Sequence, residues 1–324
     1  MKKHKIDWLN IPGFKGETWN PIIGCSKVSP GCENCYAEKM AKRLAYIDKT
    51  AHYNAVLNGY AGHTKITGWN GKTVLVDDQL EKPLKWKNPR AIFVCSMGDL
   101  FHDTVPFEWI DKVIGVIRDN PQHVFLILTK RPQNMKTYFE EYYGKGKIFD
   151  ASLVLPNLWL GVTAENQLTA DARIPILLSI PAAKRFVSIE PMLEAICLKK
   201  WLMVEKDKDG LSRGFGNLDW IIVGGESGHK ARPMHPEWVR SIRNQCKTAN
   251  VPFFFKQWGE WKEGSVPNYN PIIVLNNGKF GNYEQTKQYR PIWNQSRPVI
   301  MSKVGKKEAG CELDGQYHKE FPKI

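Results

Sequence analysis

Three cysteines, Cys25, Cys32 and Cys35, fall within eleven residues in the segment Gly24-Cys25-Ser26-Lys27-Val28-Ser29-Pro30-Gly31-Cys32-Glu33-Asn34-Cys35-Tyr36. The Pro30-Gly31 pair favours a turn, which returns Cys25 towards the Cys32/Cys35 pair. Thiols at this density are better explained as metal ligands than as incidental loop residues. Two centres compete. Zinc takes four ligands in a closed structural site, so a fourth would have to come from afar, from Cys95 or His102. A [4Fe–4S] cluster is saturated by four cysteines. With three, one iron stays open to a cofactor or substrate. The three-cysteine loop therefore suits a reactive cluster better than structural zinc, and Cys95, Cys197, Cys246 and Cys311 are expected to be dispensable.

The segment resembles the cysteine motif of the radical SAM superfamily, in which an aromatic residue often flanks the last cysteine, as Tyr36 does. The common spacing there is C-x3-C-x2-C, whereas here it is C-x6-C-x2-C. The stretches Thr18-Trp19-Asn20-Pro21, Gly24-Cys25, Val28-Ser29-Pro30-Gly31-Cys32, Asn34-Cys35-Tyr36-Ala37-Glu38 and Leu313-Asp314-Gly315 are similar to those of a bacteriophage-associated family of unknown function with radical SAM-like character. That similarity runs through nearly the whole chain. The resemblance implies a [4Fe–4S] cluster on Cys25, Cys32 and Cys35, with S-adenosylmethionine (SAM) at the open iron. An external electron donor would supply one electron, methionine and a 5′-deoxyadenosyl radical would form, and the radical would take hydrogen from a substrate. The cofactor does the hard chemistry, and the protein orients it and excludes water.

In a (β/α) barrel the residues just after each strand face the active site. Met97-Gly98-Asp99 follows the second candidate strand, where radical SAM enzymes often carry the Gly-Gly-Glu that binds the SAM amino group, so the resemblance gives Asp99 that task. Leu128-Thr129-Lys130 is similar to a stretch in spore photoproduct lyase and its radical SAM relatives, where it helps to hold the SAM carboxylate. Lys130 or Arg131 would suit a carboxylate or phosphate. Thr163, Glu165 and Asn166 follow the fourth strand and could hydrogen-bond a ribose, although Thr163 could equally cap the next helix. Glu190, directly after an apolar strand and before Pro191, is a candidate buried acid. Gly224-Gly225-Glu226 lacks the Lys-Ser/Thr of a P-loop and reads as backbone approaching adenine or substrate closely. Each position has a structural alternative as cap, turn or loop anchor.

The elements that must carry these residues alternate between short apolar runs and amphipathic stretches. The runs are Ala91–Cys95, His123–Leu128, Leu158–Val162, Arg185–Ile189, Asp219–Val223 and Val251–Phe255, with Thr18–Ile23 as a weaker first strand. Continuous apolar runs of this length suit parallel strands covered on both faces. Helices are expected over Tyr36–Ile47, Glu108–Asp119, Arg131–Tyr143, Ala170–Ile180 and Pro236–Asn250. The alternation predicts an α/β fold, a partial or complete parallel (β/α) barrel over residues 1–258, with a doubly wound sheet as the alternative. Residues 51–87 read as an insertion, Glu205–Gly216 as a surface loop, and 259–324 as an irregular C-terminal extension packed on the barrel.

The composition places this machinery in a reducing compartment. No apolar run is long enough to span a bilayer, and the charged N-terminus is not followed by a secretory apolar core. A cytoplasmic protein without membrane association is the expectation, and its seven cysteines then read as ligands or buried thiols. The formal charge is +13, of which +5 lies in residues 1–198 and +8 in residues 199–324. Basic proteins attract phosphate-rich partners. With twelve tryptophans as possible stacking platforms, a DNA, RNA or nucleotide substrate is expected. The rivals are a zinc-containing nucleic-acid-binding protein without catalysis and a phage-borne interaction protein.

Overall fold

The computed structural model describes residues 4–47, 51–59, 65–143, 154–203, 217–287 and 298–324. Seven parallel strands lie in the order β1 (Lys15–Trp19), β2 (Arg90–Val94), β3 (Val124–Thr129), β4 (Leu158–Thr163), β5 (Lys184–Ile189), β6 (Trp220–Gly224) and β7 (Phe253–Gln257). Spatial order and sequence order coincide. There is no reversal of the kind that defines a doubly wound sheet, so the topology is that of a partial parallel (β/α) barrel. No helix among the described residues is long and apolar enough to cross a membrane.

The chain divides into two compact units, residues 1–162 with 175–185, and residues 163–174 with 186–324. In the first unit β1 pairs with β2, β2 with β3, and β3 with β4. Every residue of β4 is buried, as expected for a strand covered on both faces. Helix α1 (Tyr36–Ala45) follows the cysteine loop, and α2 (Phe107–Arg118) buries Ile110, Val113, Ile114 and Ile117, one face of a 3.6-residue period. The expected helix over 131–143 is divided. Helix α3 (Pro132–Thr137) gives way to a π-helical turn at Tyr138–Tyr143, where the buried Tyr138 hydroxyl donates to Asp111 at 2.6 Å. The weak first strand is also divided. β1 stops at Trp19, and Ile22–Ile23, after Pro21, pairs antiparallel with Val74–Leu75.

That pairing shows what residues 51–87 do. Their described part folds back over the cysteine loop and α1, and Ile23, Ala41, Ala45, Val56, Leu57, Ile66, Val76 and Met97 form one apolar cluster.

In the second unit β5 pairs with β6 and β6 with β7. Helix α4 (Gln167–Ser179) begins in this unit, and its residues from Pro175 on belong to the first. Helix α5 (Pro236–Ala249) opens with proline at its first position and closes on Asn250 in the left-handed conformation. The expected irregular extension is in fact ordered in part. Strands β8 (Trp261–Glu263), β9 (Pro271–Val274), β10 (Phe280–Gly281) and β11 (Val299–Lys303) form a four-stranded antiparallel sheet around Trp261, Val274 and Met301. Strands of two to five residues broken by Gly, Asn and Pro carry too few alternations to register as periodic. The expected loop at Glu205–Gly216 lies outside the described residues, apart from which the chain's last residues cover the edge of β7. Phe255 N–H donates to His318 O at 2.8 Å, and Trp220 Nε1 to Glu320 O at 2.9 Å.

The quoted Leu313-Asp314-Gly315 is the turn that launches this tail, with Asp314 and Gly315 both at positive φ and paired backbone bonds between Leu313 and Gln316. Arg240 and Arg243 of α5 donate to Asp314 at 2.8 and 2.6 Å. Burial pushes the Asp314 carboxyl up, but the two guanidinium bonds outweigh it and hold the pKa below the usual carboxylate value. A depressed carboxylate stabilises the fold above its unfolded pKa, near pH 4, and that contribution is lost as pH falls through the lower folded value. Asp314→Asn is therefore expected to cost about 1 kcal/mol at pH 7, a modest figure because water screens the pair. In urea unfolding, the difference from the unmodified protein should shrink towards zero as the pH is lowered past 3–4, roughly the carboxylate range.

Candidate metal and cofactor site

The cysteine loop hangs from the C-terminal ends of β1 and β2. Asn20, just after β1, accepts from Ser96 Oγ at 3.1 Å and from Met97 N–H at 2.9 Å, tying the two strand ends together. Gly24 continues the contact, donating to Met97 O at 3.2 Å and bridging Gly98. A Cβ on Gly24 would sit 2.3 Å from Lys72 O, and its φ is +96°. Only glycine meets both demands. Pro30–Cys32 then forms a single 3-10 turn, and Cys35 is the N-cap of α1. One turn into α1, the buried Glu38 reaches back to Lys27 of the loop at 3.5 Å, while holding Lys42 at 3.1 Å.

The three thiols are free and half-buried. Cys25 Sγ accepts from Arg131 Nη1 at 3.7 Å, and Cys32 Sγ lies 3.8 Å from the Ser29 hydroxyl. Burial, and then the nearby Asp99 carboxylate, push the Cys25 thiol up to about 12, against the opposing pull of Arg131. Among the described residues, no three His, Cys, Asp or Glu side chains are gathered closely enough to hold a metal. The chemistry of the donor set nevertheless suits a thiophilic centre, an iron–sulfur cluster or zinc. It is made of soft sulfur ligands, with a guanidinium at one sulfur to offset thiolate charge.

Of the two fourth ligands considered for zinc, His102 has both ring nitrogens engaged. His102 Nδ1 accepts from Thr104 N–H at 3.2 Å, which leaves Nε2–H to donate to Ser26 Oγ at 2.8 Å. Burial, then the Arg131 guanidinium, hold its pKa below the usual imidazole value. Cys95 is buried at the end of β2, where burial pushes its thiol up to about 12.

Asp99 is fixed from four directions. Thr129 Oγ1 donates to Oδ1 at 2.7 Å, Phe101 N–H to Oδ1 at 3.1 Å, Lys130 N–H to Oδ2 at 3.4 Å, and Arg131 Nη1 to Oδ2 at 3.1 Å. Thr129 and Lys130 thus meet Asp99 through a hydroxyl and a backbone amide. Gly98 packs against the Ile22 and Gly24 carbonyls, and the Met97 side chain joins the apolar cluster instead of facing the strand ends.

The second unit places its candidates at its own strand ends. Glu190 Oε1 pairs with Lys256 Nζ at 2.9 Å, and Ser188 Oγ donates to Oε2 at 3.3 Å. The close approach expected of Gly224-Gly225 is real, but the neighbours belong to the chain. A Cβ on Gly224 would meet Glu190 Oε1 at 2.4 Å, and one on Gly225 would meet Trp258 O at 2.1 Å. Glu226 takes a forked pair from Arg232, at 2.9 Å from Nε and 2.7 Å from Nη2. Glu165 is fully buried and pairs with Arg173 at 2.9 Å, and the same guanidinium donates to the Thr163 carbonyl at 2.7 Å. Asn166 accepts from Thr169 N–H at 2.9 Å and so caps the start of α4. These acids are anchored by basic partners, and Glu190 with Lys256 is the pair that joins the ends of β5 and β7 across the end of β6.

Ser26 and Asn20 escaped the sequence reading as site residues. Their signal was present in Thr18-Trp19-Asn20-Pro21 and in the residue next to Cys25. A family model described as a protein of unknown function (DUF5131) matches residues 3–322. No curated protein and no solved structure matches the chain.

Proposed function

The chain belongs to the DUF5131 family, for which no activity is described, and from its cysteine loop we propose that it is an iron–sulfur enzyme of the radical SAM type. The observation that carries this reading is a three-thiol loop at the ends of β1 and β2, with Arg131 bonded to the first of its sulfurs. A [4Fe–4S] cluster with one open iron supplies, when bound, the electron that cleaves S-adenosylmethionine to methionine and a 5′-deoxyadenosyl radical. Cys25, Cys32 and Cys35 would hold it, and the insertion packs against Gly24 at the start of the loop. Asp99 orders the ends of β2 and β3 beside the loop. The electron comes from an external donor. The substrate is a nucleic acid or nucleotide, a reading supported by the charge of +13, and hydrogen abstraction from it leads to modification or repair.

Anaerobic reconstitution with iron and sulfide, followed by a strong reductant and S-adenosylmethionine, is the test. The expected product is 5′-deoxyadenosine, formed even without substrate. Protein that holds stoichiometric zinc and no sulfide, or a reconstituted cluster that leaves S-adenosylmethionine intact, overturns the reading. DNA and RNA binding should weaken as salt rises, because Lys and Arg contacts release counterions. Affinity that ignores salt points to a peptide or small metabolite instead.

A further inference from the structure

Arg131 looks from sequence like a residue for an anionic ligand, but its donors are already committed. Nη2 donates to Ser26 Oγ at 2.7 Å and to Ser26 O at 3.2 Å. Nη1 donates to Asp99 and to Cys25 Sγ, and Nε points to Asp103 at 3.4 Å. The side chain is only 6% exposed, and that of Asp99 only 7%. A buried guanidinium is tolerated when paired and fully hydrogen-bonded, and Asp99 meets that need from a position fixed independently by Thr129, Phe101 and Lys130. The outcome is a rigid cation aimed from the end of β3 at the first two residues of the cysteine loop. Its anion, Asp99, shares the same Nη1 with Cys25 Sγ.

We infer that Arg131 is a positioning residue for the metal centre, seating Cys25 and, with Asp99 as the opposing charge, setting the reduction potential of the centre. The inference rests on the proposed cluster. Reduction adds negative charge to a cluster already carrying thiolate charge. A donor and positive charge at a ligand sulfur stabilise the reduced form and raise the potential, and a nearby anion lowers it. Removing the two partners must therefore move the potential in opposite directions. A merely structural ion pair would not behave so, since losing either half would disturb the loop in the same sense.

The test uses the full chain, reconstituted anaerobically, as Arg131→Gln, Asp99→Asn, the double variant and Arg131→Lys. Iron and sulfide are counted, and the midpoint potential is measured by redox titration followed by electron paramagnetic resonance. Arg131→Gln is expected to shift the potential down, Asp99→Asn to shift it up, and the double variant to return close to the unmodified protein. Arg131→Lys keeps the charge and loses the fork, so it should shift less than Arg131→Gln. If Arg131→Gln does not fold, the opposite signs of Arg131→Lys and Asp99→Asn carry the test. Loaded variants with unchanged potentials, or shifts of one sign, overturn the inference and leave the cluster reading standing. An unmodified chain that takes up no iron or sulfide overturns that reading, and the inference with it.

Discussion

Alanine at any one of Cys25, Cys32 or Cys35 is expected to abolish loading of the proposed cluster. After anaerobic reconstitution, iron and sulfide per chain should fall to background, and 5′-deoxyadenosine formation should fall with them. A loss this complete is expected because a site with three protein ligands has none to spare, and because binding free energy for such centres is gathered cooperatively from every ligand. The fold itself should survive. All three thiols are half-buried in a loop, and removing one sulfur there costs about 1 kcal/mol, the ordinary size of a substitution outside the core. Circular dichroism and melting of the metal-free variants should therefore match the unmodified chain closely. Cys197, Cys246 and Cys311 provide the control. Cys197 is exposed, Cys246 is buried in α5, and alanine at either, or at Cys311, should leave loading unchanged. Cys95→Ala should also load while melting earlier, because Cys95 is buried and losing its sulfur leaves a small cavity. If a variant of the three loop cysteines keeps its iron and sulfide, the ligand assignment is wrong.

The strands were legible because burial on both faces writes itself as unbroken apolar runs. Leu158–Thr163 and Lys184–Ile189 fall within one residue of their expected bounds. Strand β7 lies two residues later than expected, at Phe253–Gln257, since Val251-Pro252 extends the apolar run while Pro252 gives the ladder only its carbonyl, to Ile221 N–H at 3.1 Å. Proline cannot donate to a ladder. The four-stranded sheet of the C-terminal region was illegible for the opposite reason. Its strands are short, and their register depends on distant partners, as with Trp261 against Lys303, 42 residues on.

At the site, the residue types were legible and their partners were not. A sequence shows that Asp99 and Arg131 lie at strand ends, but nothing local says that each is the other's counter-ion across 32 positions. The same holds for Glu165 with Arg173 and Glu226 with Arg232, which a linear reading leaves as free acids beside a ligand. The glycine pair at 224–225 signals a close approach correctly. Only the fold reveals that Glu190 and Trp258 are what approaches.

Gly24→Ala tests whether the insertion and the cysteine loop act as one structure. The new methyl would lie 2.3 Å from Lys72 O, 2.8 Å from Val56 Cγ1 and 3.1 Å from Thr73 Cα. Two of these are backbone atoms, which cannot step aside as a flexible side chain would. The backbone at Gly24 also sits at φ +96°, where a Cβ adds strain of about 1–2 kcal/mol. Together with overpacking of about 1–3 kcal/mol, the total approaches the stability of an ordinary domain element. Relief requires that the chain at Lys72-Thr73 separate from Gly24, and that would strip the Ile22–Ile23 pairing with Val74–Leu75. The loop would then lose its register on Met97 and Gly98, and Cys25 its distance from Arg131. The expected result is a chain that keeps its core strands, shows faster proteolysis within residues 51–87, and loads iron at least tenfold less than the unmodified protein, a deficit of about 1.4 kcal/mol or more in affinity. Gly71→Ala is the matched control. Its Cβ would meet nothing within 4 Å, and it should load normally despite a positive φ of its own. Normal loading of Gly24→Ala with the insertion intact would show that the loop is held by the cysteines and Arg131 alone.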